Sequence, residues 1–159
     1  KPKTLTLALN MAQVYFEIVT LGGQFLVQGN EATQRGWNKK AAFELHQATE
    51  RLYHGVLLVC TFYTPHNHNI ALLRAQAERI DPRLTYVWPR EFKKDRARFE
   101  KLKDAYVKAR YSKHYRVTNE ELEWLGQRVE ELGRVVHEVC SERIEKLKAE
   151  AKARPDKVR

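Results

Sequence analysis

Residues 118–139, TNEELEWLGQRVEELGRVVHEV, contain the clearest helix pattern in the chain. The stretch opens with a capping box, because the Thr118 hydroxyl can accept from the backbone N–H of Glu121 while that carboxylate reaches back. Apolar residues then recur at alternating spacings of three and four, as in helices that pack along one another. We call this set the 122–139 seam: Leu122, Leu125, Val129, Leu132, Val136 and Val139. The stretch predicts a long final helix in a helical bundle.

Four more helices are predicted upstream, over residues 5–26, 41–63, 68–79 and from about residue 91. The first helix should stop at Gln28-Gly29-Asn30. It has one apolar face, formed by Leu7, Met11, Val14, Tyr15, Ile18, Leu21 and Phe25. Asn38 is the expected N-cap of the second helix. The fourth helix has an inward stripe that begins at Phe92 and continues through Phe99, Leu102 and Tyr106.

These elements predict an all-α fold, an up-down bundle of about five helices joined by mostly short loops. A chain of 159 residues can form one domain with a real core, expected over residues 1–147. Residues 148–159 are expected to be a charged, frayed tail. Because the sequence begins with Lys1 rather than methionine, we expect it to be a piece of a longer protein or a processed chain.

Composition favours a globular, cytoplasmic protein. Hydrophobic residues make up 43% and charged residues 31% of the chain. No uninterrupted apolar run approaches the length of a membrane span, and no signal peptide pattern opens the chain. Cys60 and Cys140 lie within apolar helical patterns, so we expect them in the core. We expect no metal and no cofactor.

The net charge of +9 is unevenly distributed. Residues 90–116 contain eleven Lys and Arg but four Asp and Glu. Clustered basic residues point to a polyanionic partner such as a nucleotide or RNA. The same pattern is typical of a solvated helix face, and the Glu-rich final helix could neutralise it. Charge alone leaves these interpretations open.

Residues 109–116, ARYSKHYR, lie at the centre of this basic region. Arg110 follows Tyr106 by four positions, so it continues the inward stripe of the fourth helix and must reach solvent or meet a partner. A guanidinium binds phosphate oxygens with a planar fork, and His114 can move a proton near neutral pH. The alternative is a structural arginine with a capping histidine.

The second helix offers further polar candidates. His46, Glu50 and Tyr53, with His54, recur at helical spacing and could line the same groove as Arg110. Alternatively they are ordinary packed or paired side chains. His66 and His68 lie in a turn-forming loop, TPHNHN, where two histidines are weak support for a metal site.

Two blocks of the chain resemble the HEPN family. They are KKAAFELHQATERLYHGVLLVCTFYTPHNHNIALL at 39–73 and DAYVKARYSKHYRVTNEELEWLGQRVEEL at 104–132. The resemblance covers about residues 12–146. It implies a helical bundle that commonly dimerises. Many HEPN domains are metal-independent endoribonucleases, often toxins paired with a nucleotidyltransferase, whereas others bind nucleotides or mediate interactions.

The family nuclease motif is an arginine and a histidine with four to six residues between them. Arg110 matches the family arginine, but only three residues separate it from His114. The resemblance therefore favours a homodimeric module, associated with a nucleotidyltransferase domain in cis or in trans. It would bind a nucleotide or RNA phosphate through Arg110. Charge and proximity add Tyr111, Lys113 and Arg116 to this expected site, and helical spacing adds His46, Glu50 and Tyr53.

Two alternatives remain. One is a metal-independent endoribonuclease that uses Arg110 and His114. The other is a non-catalytic module for dimerisation or interaction, with the 122–139 seam as its contact surface.

Overall fold

The computed structural model describes residues 2–156 and contains six α-helices in that range. They are α1 (Leu5–Gln34), α2 (Asn38–Thr61), α3 (Ile70–Glu78), α4 (Pro82–Thr85), α5 (Lys93–Tyr111) and α6 (Asn119–Ala153). No strand occurs among the described residues. The predicted all-α helical bundle is confirmed, with one helix more than expected.

Helix α1 does not stop at the predicted Gln28-Gly29-Asn30 turn but continues to Gln34. Gly29 is buried against α2, where an added Cβ would lie 2.8 Å from Leu45 Cδ2. Its missing side chain therefore allows close helix packing rather than a turn. The helix ends at Gln34, and Gly36, just after its C-cap, has a φ of +74° while Trp37 N donates back to Ala32 O at 2.9 Å.

The predicted apolar face of α1 packs on the bundle only in part: Tyr15 and Phe25 lie against the core, whereas other members of the face are exposed. Small residues make the buried contact with α2 and α6: Ala8, Ala12, Val19, Gly22, Gly29 and Ala32. By contrast, Leu7 is 44% exposed, Val14 62% and Leu21 40%. The helix also contains an 18-residue window with a mean hydropathy of 1.3, which by length and composition alone could span a membrane. Polar residues interrupt this window, so it contains no long uninterrupted apolar run and was not expected from the sequence.

Helix α2 is the central element, buried along most of its length as its wide apolar stripe predicts. Asn38 is not its N-cap, because Trp37 occupies that position without a side-chain capping bond. Asn38 Nδ2 instead donates to Val117 O at 2.9 Å. This bond fixes the start of α2 to the segment between α5 and α6.

Two short helices follow. Asn69 caps α3, its Oδ1 accepting from Ala71 N at 2.9 Å, so α3 begins at Ile70 rather than at His68. Asp81 caps α4, where a loop was predicted, and Pro82 stands at the first helical position, which tolerates proline.

The last two helices each pack against α2. Phe92 precedes α5 as its N-cap and is 65% exposed, so its predicted core position is wrong. The α6 capping box is present, with Glu121 N donating to Thr118 Oγ1 at 3.1 Å. The 122–139 seam is entirely buried in the core, so it is not an available contact surface. Helix α6 continues to Ala153, so residues 148–153 are helical, and residues 157–159 of the expected tail lie outside the described range.

Candidate functional site

Arg110 lies on the last turn of α5, one turn after Tyr106. Its guanidinium carbon lies 4.8 Å from the centroid of the Phe43 ring and 4.7 Å from that of Tyr106. Its Nε donates to Tyr106 O at 2.8 Å. Arg110 is exposed, so the arginine extends the inward stripe but ends at the surface, with its guanidinium over aromatic rings. Neither Nη atom bonds to any residue that the structure describes, which leaves both free to donate to a ligand.

His68, in the loop before α3, stacks on Tyr106, one of the two rings that contact Arg110. Its ring lies 4.3 Å from the Tyr106 ring with an interplanar angle of 13°. His68 Nδ1 lies 2.6 Å from Glu50 Oε1, and Glu50 is only 1% exposed. Because an ionised carboxylate only accepts, Nδ1 must be the protonated nitrogen. Nε2 of this largely exposed ring is then the atom available to a ligand or a proton.

Helix α2 holds this loop through two more histidines. His46 Nε2 donates to His68 O at 3.1 Å, and His54 Nε2 lies 3.2 Å from Asn67 O. Burial lowers the pKa of His46 to about 4, although the Glu50 carboxylate opposes the shift. Burial also lowers the pKa of His54. His46 is therefore neutral at pH 7 and positions the loop rather than moving protons.

The structure separates Tyr53 from this group. Its hydroxyl accepts from Trp88 Nε1 at 2.9 Å, the ring is fully buried, and burial raises the pKa of the phenol. Tyr53 is thus a core residue bonded to Trp88 and has no contact with Arg110 among the hydrogen bonds and ring contacts of the described residues. Of the α2 candidates, only His46 and Glu50 join the arginine, and they do so through His68 and Tyr106.

His114 lies in the link between α5 and α6, because α5 ends at Tyr111. It is exposed, and its backbone N donates to Ser112 Oγ at 3.2 Å. Tyr111 is 74% exposed, with its ring 5.0 Å from the Arg110 guanidinium. Tyr115 is buried and donates its hydroxyl to Lys101 O at 2.8 Å.

Many basic residues in the first part of the 90–116 region form ion pairs within the fold. Lys94 and Arg98 face Glu120, and Lys101 pairs with Glu121 at 3.0 Å. Further along α5, local pairs join Lys103 to Glu100 at 2.6 Å and Lys108 to Asp104 at 3.1 Å.

The basic residues around the end of α5 differ. No described carboxylate forms an ion pair with Arg110, Lys113, Arg116 or Lys39. Lys39 Nζ donates to Ser112 O at 3.1 Å, which brings the start of α2 into this group. We call these four residues the α5-end basic cluster. Carboxylates of α6 therefore neutralise charge in the first part of the basic region, whereas the α5-end basic cluster has no such partner among the described residues.

A cleft of about 510 Å³ lies between the 66–69 loop and α5. Its walls combine histidine, asparagine, lysine and Tyr106: His66, Asn67, His68, Asn69, Lys103, Asp104, Tyr106, Val107 and Lys108. A second cleft, of about 390 Å³, lies behind the same loop and includes Glu50, His54 and His68. His68 thus borders both. The described residues contain no group of three or more His, Cys, Asp or Glu side chains that could hold a metal ion.

A comparison with protein families finds that residues 22–140 match the HEPN domain. The chain belongs to the HEPN domain family. HEPN domains are often involved in RNA binding or nuclease activity. The matched range includes every residue of the site described above. A comparison with curated proteins finds no similar sequence.

Sequence reasoning missed His68 as a member of this HEPN site. The loop composition predicted only a turn, and the two loop histidines were weighed as metal ligands rather than as partners of α2. One sequence feature could have indicated this contact. Glu50 lies on the buried face of α2, and the short loop that follows α2 has to fold back over that helix, which brings a loop histidine close to the carboxylate. Lys39 was also missed, because nothing in sequence joins it to the distant Ser112.

Proposed function

We propose that this HEPN domain binds the phosphate of a nucleotide or RNA in the groove at the end of α5. The main support is the geometry of Arg110, whose guanidinium lies over two aromatic rings while its Nη atoms have no partner among the described residues. A preoriented guanidinium fork matches two phosphate oxygens and loses little side-chain entropy on binding.

The surrounding charge supports the same ligand. The α5-end basic cluster has no carboxylate partner in the described part of the chain, so an anion there would face uncompensated positive charge. Further along α5, ion pairs engage Lys101, Lys103 and Lys108. The adjoining 510 Å³ cleft offers the Tyr106 and His68 rings beside asparagine amides, which suits a base.

Binding of a labelled single-stranded RNA and of AMP, measured at low and high salt, tests this proposal. We expect Arg110→Ala to weaken binding about tenfold or more, since charge-assisted hydrogen bonds contribute about 1.5–3 kcal/mol. Arg110→Lys should recover only part of the loss, because it keeps the charge without the fork. The matched control is Arg134→Ala, an exposed arginine of α6 paired with Glu131 and Glu138. Equal affinities for Arg110→Ala and wild type would contradict the proposal.

A second candidate function is metal-independent RNA cleavage, for which the site favours His68 over His114. The His68–Glu50 contact sets the ring so that Nε2 can take the proton of a ribose 2′-hydroxyl. The 2′-oxygen would then bond to phosphorus and the 5′-oxygen would leave, taking a proton from water. The products are a 2′,3′-cyclic phosphate and a 5′-hydroxyl, with Arg110 stabilising the added negative charge.

This candidate predicts cleavage in the presence of EDTA that is lost in His68→Gln and kept in His114→Gln. Intact RNA with the folded wild-type protein would exclude cleavage but not binding. We also propose, from the family resemblance, that the domain functions beside a nucleotidyltransferase domain in cis or in trans.

A further inference from the structure

The two cysteines of the chain meet where α2 packs on α6. Cys60 lies in the last turn of α2 and Cys140 in the second half of α6. Both are free thiols, and the Cys140 thiol lies within hydrogen-bonding reach of the Cys60 sulfur, to which it donates. Cys140 is fully buried, whereas Cys60 is only partly buried. The pair is therefore not sealed in the core on both sides.

A pocket of about 690 Å³ leads to Cys60 between the start of α1, the end of α2 and the second half of α6. Cys60 lines this pocket and Cys140 does not. The charged residues that line it are Lys3, Arg143 and Glu150. A reagent of a few atoms can therefore reach the Cys60 sulfur from solvent, and accessibility of this kind is what distinguishes a reactive cysteine from a structural one.

Arg143 supplies a positive charge beside this sulfur. Its guanidinium carbon lies 5.9 Å from the centroid of the Phe62 ring, and its buried Nε has no hydrogen-bond partner among the described residues. The hydrogen bond from Cys140 and the charge of Arg143 lower the pKa of the Cys60 thiol, although burial and the Asp81 carboxylate oppose the shift. The same hydrogen bond, together with burial, raises the pKa of Cys140. Cys60 is thus the thiol that ionises first, and Cys140 keeps its proton.

We propose that Cys60 and Cys140 form a peroxide-sensitive dithiol site, in which Cys60 attacks the oxidant and Cys140 closes an intramolecular disulfide. The Cys60 thiolate attacks one oxygen of a hydroperoxide, so that an S–O bond forms and the O–O bond breaks. The other oxygen leaves as an alcohol or water after taking a proton from solvent. Cys140 then attacks the sulfenic sulfur, the S–S bond forms, and hydroxide leaves as water with the Cys140 proton. The two thiols lose two electrons and the hydroperoxide gains them.

The position of Cys60 suits a bond that forms and breaks. A disulfide brings its sulfurs to about 2.05 Å, so the helices have to adjust from a hydrogen-bonded contact. Cys60 lies at a helix end, and helix ends open at a lower free energy than helix interiors. In a reducing compartment the pair would stay as thiols and form the disulfide only transiently. The inference is independent of the phosphate site, because it uses neither Arg110 nor His68.

Treatment of the folded protein with hydrogen peroxide tests the disulfide. The sequence contains no other cysteine, so a monomer that has lost both free thiols and the mass of two hydrogen atoms contains the Cys60–Cys140 bond. Dithiothreitol should restore both thiols. Two free thiols after an exposure that oxidises N-acetylcysteine would overturn the proposal, and so would disulfides that form only between chains.

Single substitutions test the separate roles of the two thiols. Cys140→Ala should leave Cys60 as a sulfenic acid that dimedone labels, whereas Cys60→Ala should leave Cys140 unlabelled, because the pocket does not reach it. Circular dichroism melts verify that each variant is folded, and Cys140→Ser replaces the alanine variant if that one is not. Labelling of Cys140 but not of Cys60 would overturn the assigned roles.

The rate of alkylation by iodoacetamide as a function of pH tests Arg143, because this rate follows the thiolate fraction of Cys60. Arg143→Gln should shift the profile to higher pH and slow the reaction at pH 7, and Arg143→Lys should recover part of the loss. The matched control is Arg134→Gln, an exposed arginine of the same helix paired with Glu131 and Glu138, which should keep the wild-type profile. An unchanged profile in Arg143→Gln would overturn the role of this arginine.

Discussion

Two connections flank the C-terminal half of α5, residues 62–69 before α3 and residues 112–118 before α6, and each contains histidine. In the first, His68 stacks on Tyr106 and bonds to the buried Glu50. In the second, exposed His114 is fixed only through its backbone N, which donates to Ser112 Oγ. His114, which is closer to Arg110 in sequence than His68, is therefore the less firmly positioned of the two histidines.

The two histidines differ in how far the fold positions their side chains before a ligand binds. A proton-transferring or ligand-contacting side chain needs a partner that sets its tautomer and orientation. Glu50 supplies that partner for His68 from inside the bundle. His114 comes four positions after Arg110 along the chain, but α5 ends between them, so helical spacing does not align their side chains.

The largest expected effect comes from removing the anchor of the first connection. Glu50→Ala should lower the free energy of unfolding by roughly 2–3 kcal/mol, because it leaves His68 and Arg51 without their buried carboxylate partner. Urea denaturation measures the change. Glu100→Ala is the matched control, since Glu100 is exposed and paired only with Lys103, and it should stay within about 0.5 kcal/mol of wild type. Equal effects of the two substitutions would contradict the anchoring role.

A smaller effect should appear with pH. The folded pKa of His46 is about 4, below its ordinary value of about 6.5. The unfolded chain therefore binds more protons in this window, so stability is full above about pH 6.5 and falls as pH drops towards 4, on the order of 2 kcal/mol. Unfolding midpoints in urea at several pH values measure it. His46→Gln should flatten the slope and His114→Gln should keep it. An unchanged slope in His46→Gln would show that another group is responsible.

The smallest effect compares the two histidines directly. His68→Ala should cost about 1 kcal/mol of stability, through the lost bond to Glu50 and the lost stacking on Tyr106. His114→Ala should change stability by less than about 0.5 kcal/mol. Thermal melts at pH 7 compare the two variants. A larger loss for His114→Ala would reverse our ranking of the two connections.

The sequence predicted the helices well where periodicity and capping agreed. The capping box at Thr118 and the 122–139 seam fixed α6, because local hydrogen bonding and burial favour the same structure there. Gly29 misled the prediction, since a glycine that admits a neighbouring helix has the same letter as one that makes a turn. The apolar face of α1 misled it too, because periodicity shows that a face exists and not what covers it.

The candidate site was predicted in part. Arg110 stood out because it continues the stripe of Tyr106, and that relation is local to one helix. The contacts of His68 with Glu50 and of Lys39 with Ser112 join residues far apart in sequence. Such contacts depend on how the loop and the helices pack, and no spacing rule encodes them.

Chemical-shift mapping of the isotopically labelled protein during titration with a short single-stranded RNA tests the phosphate site most directly. We predict the largest changes at the Arg110 Nε–H and in the backbone from Tyr106 to Lys113, with changes at His68 and none at Arg134. Changes confined to the separate cleft that contains Arg74, Arg90 and Arg96, with Arg110 unaffected, would contradict the account.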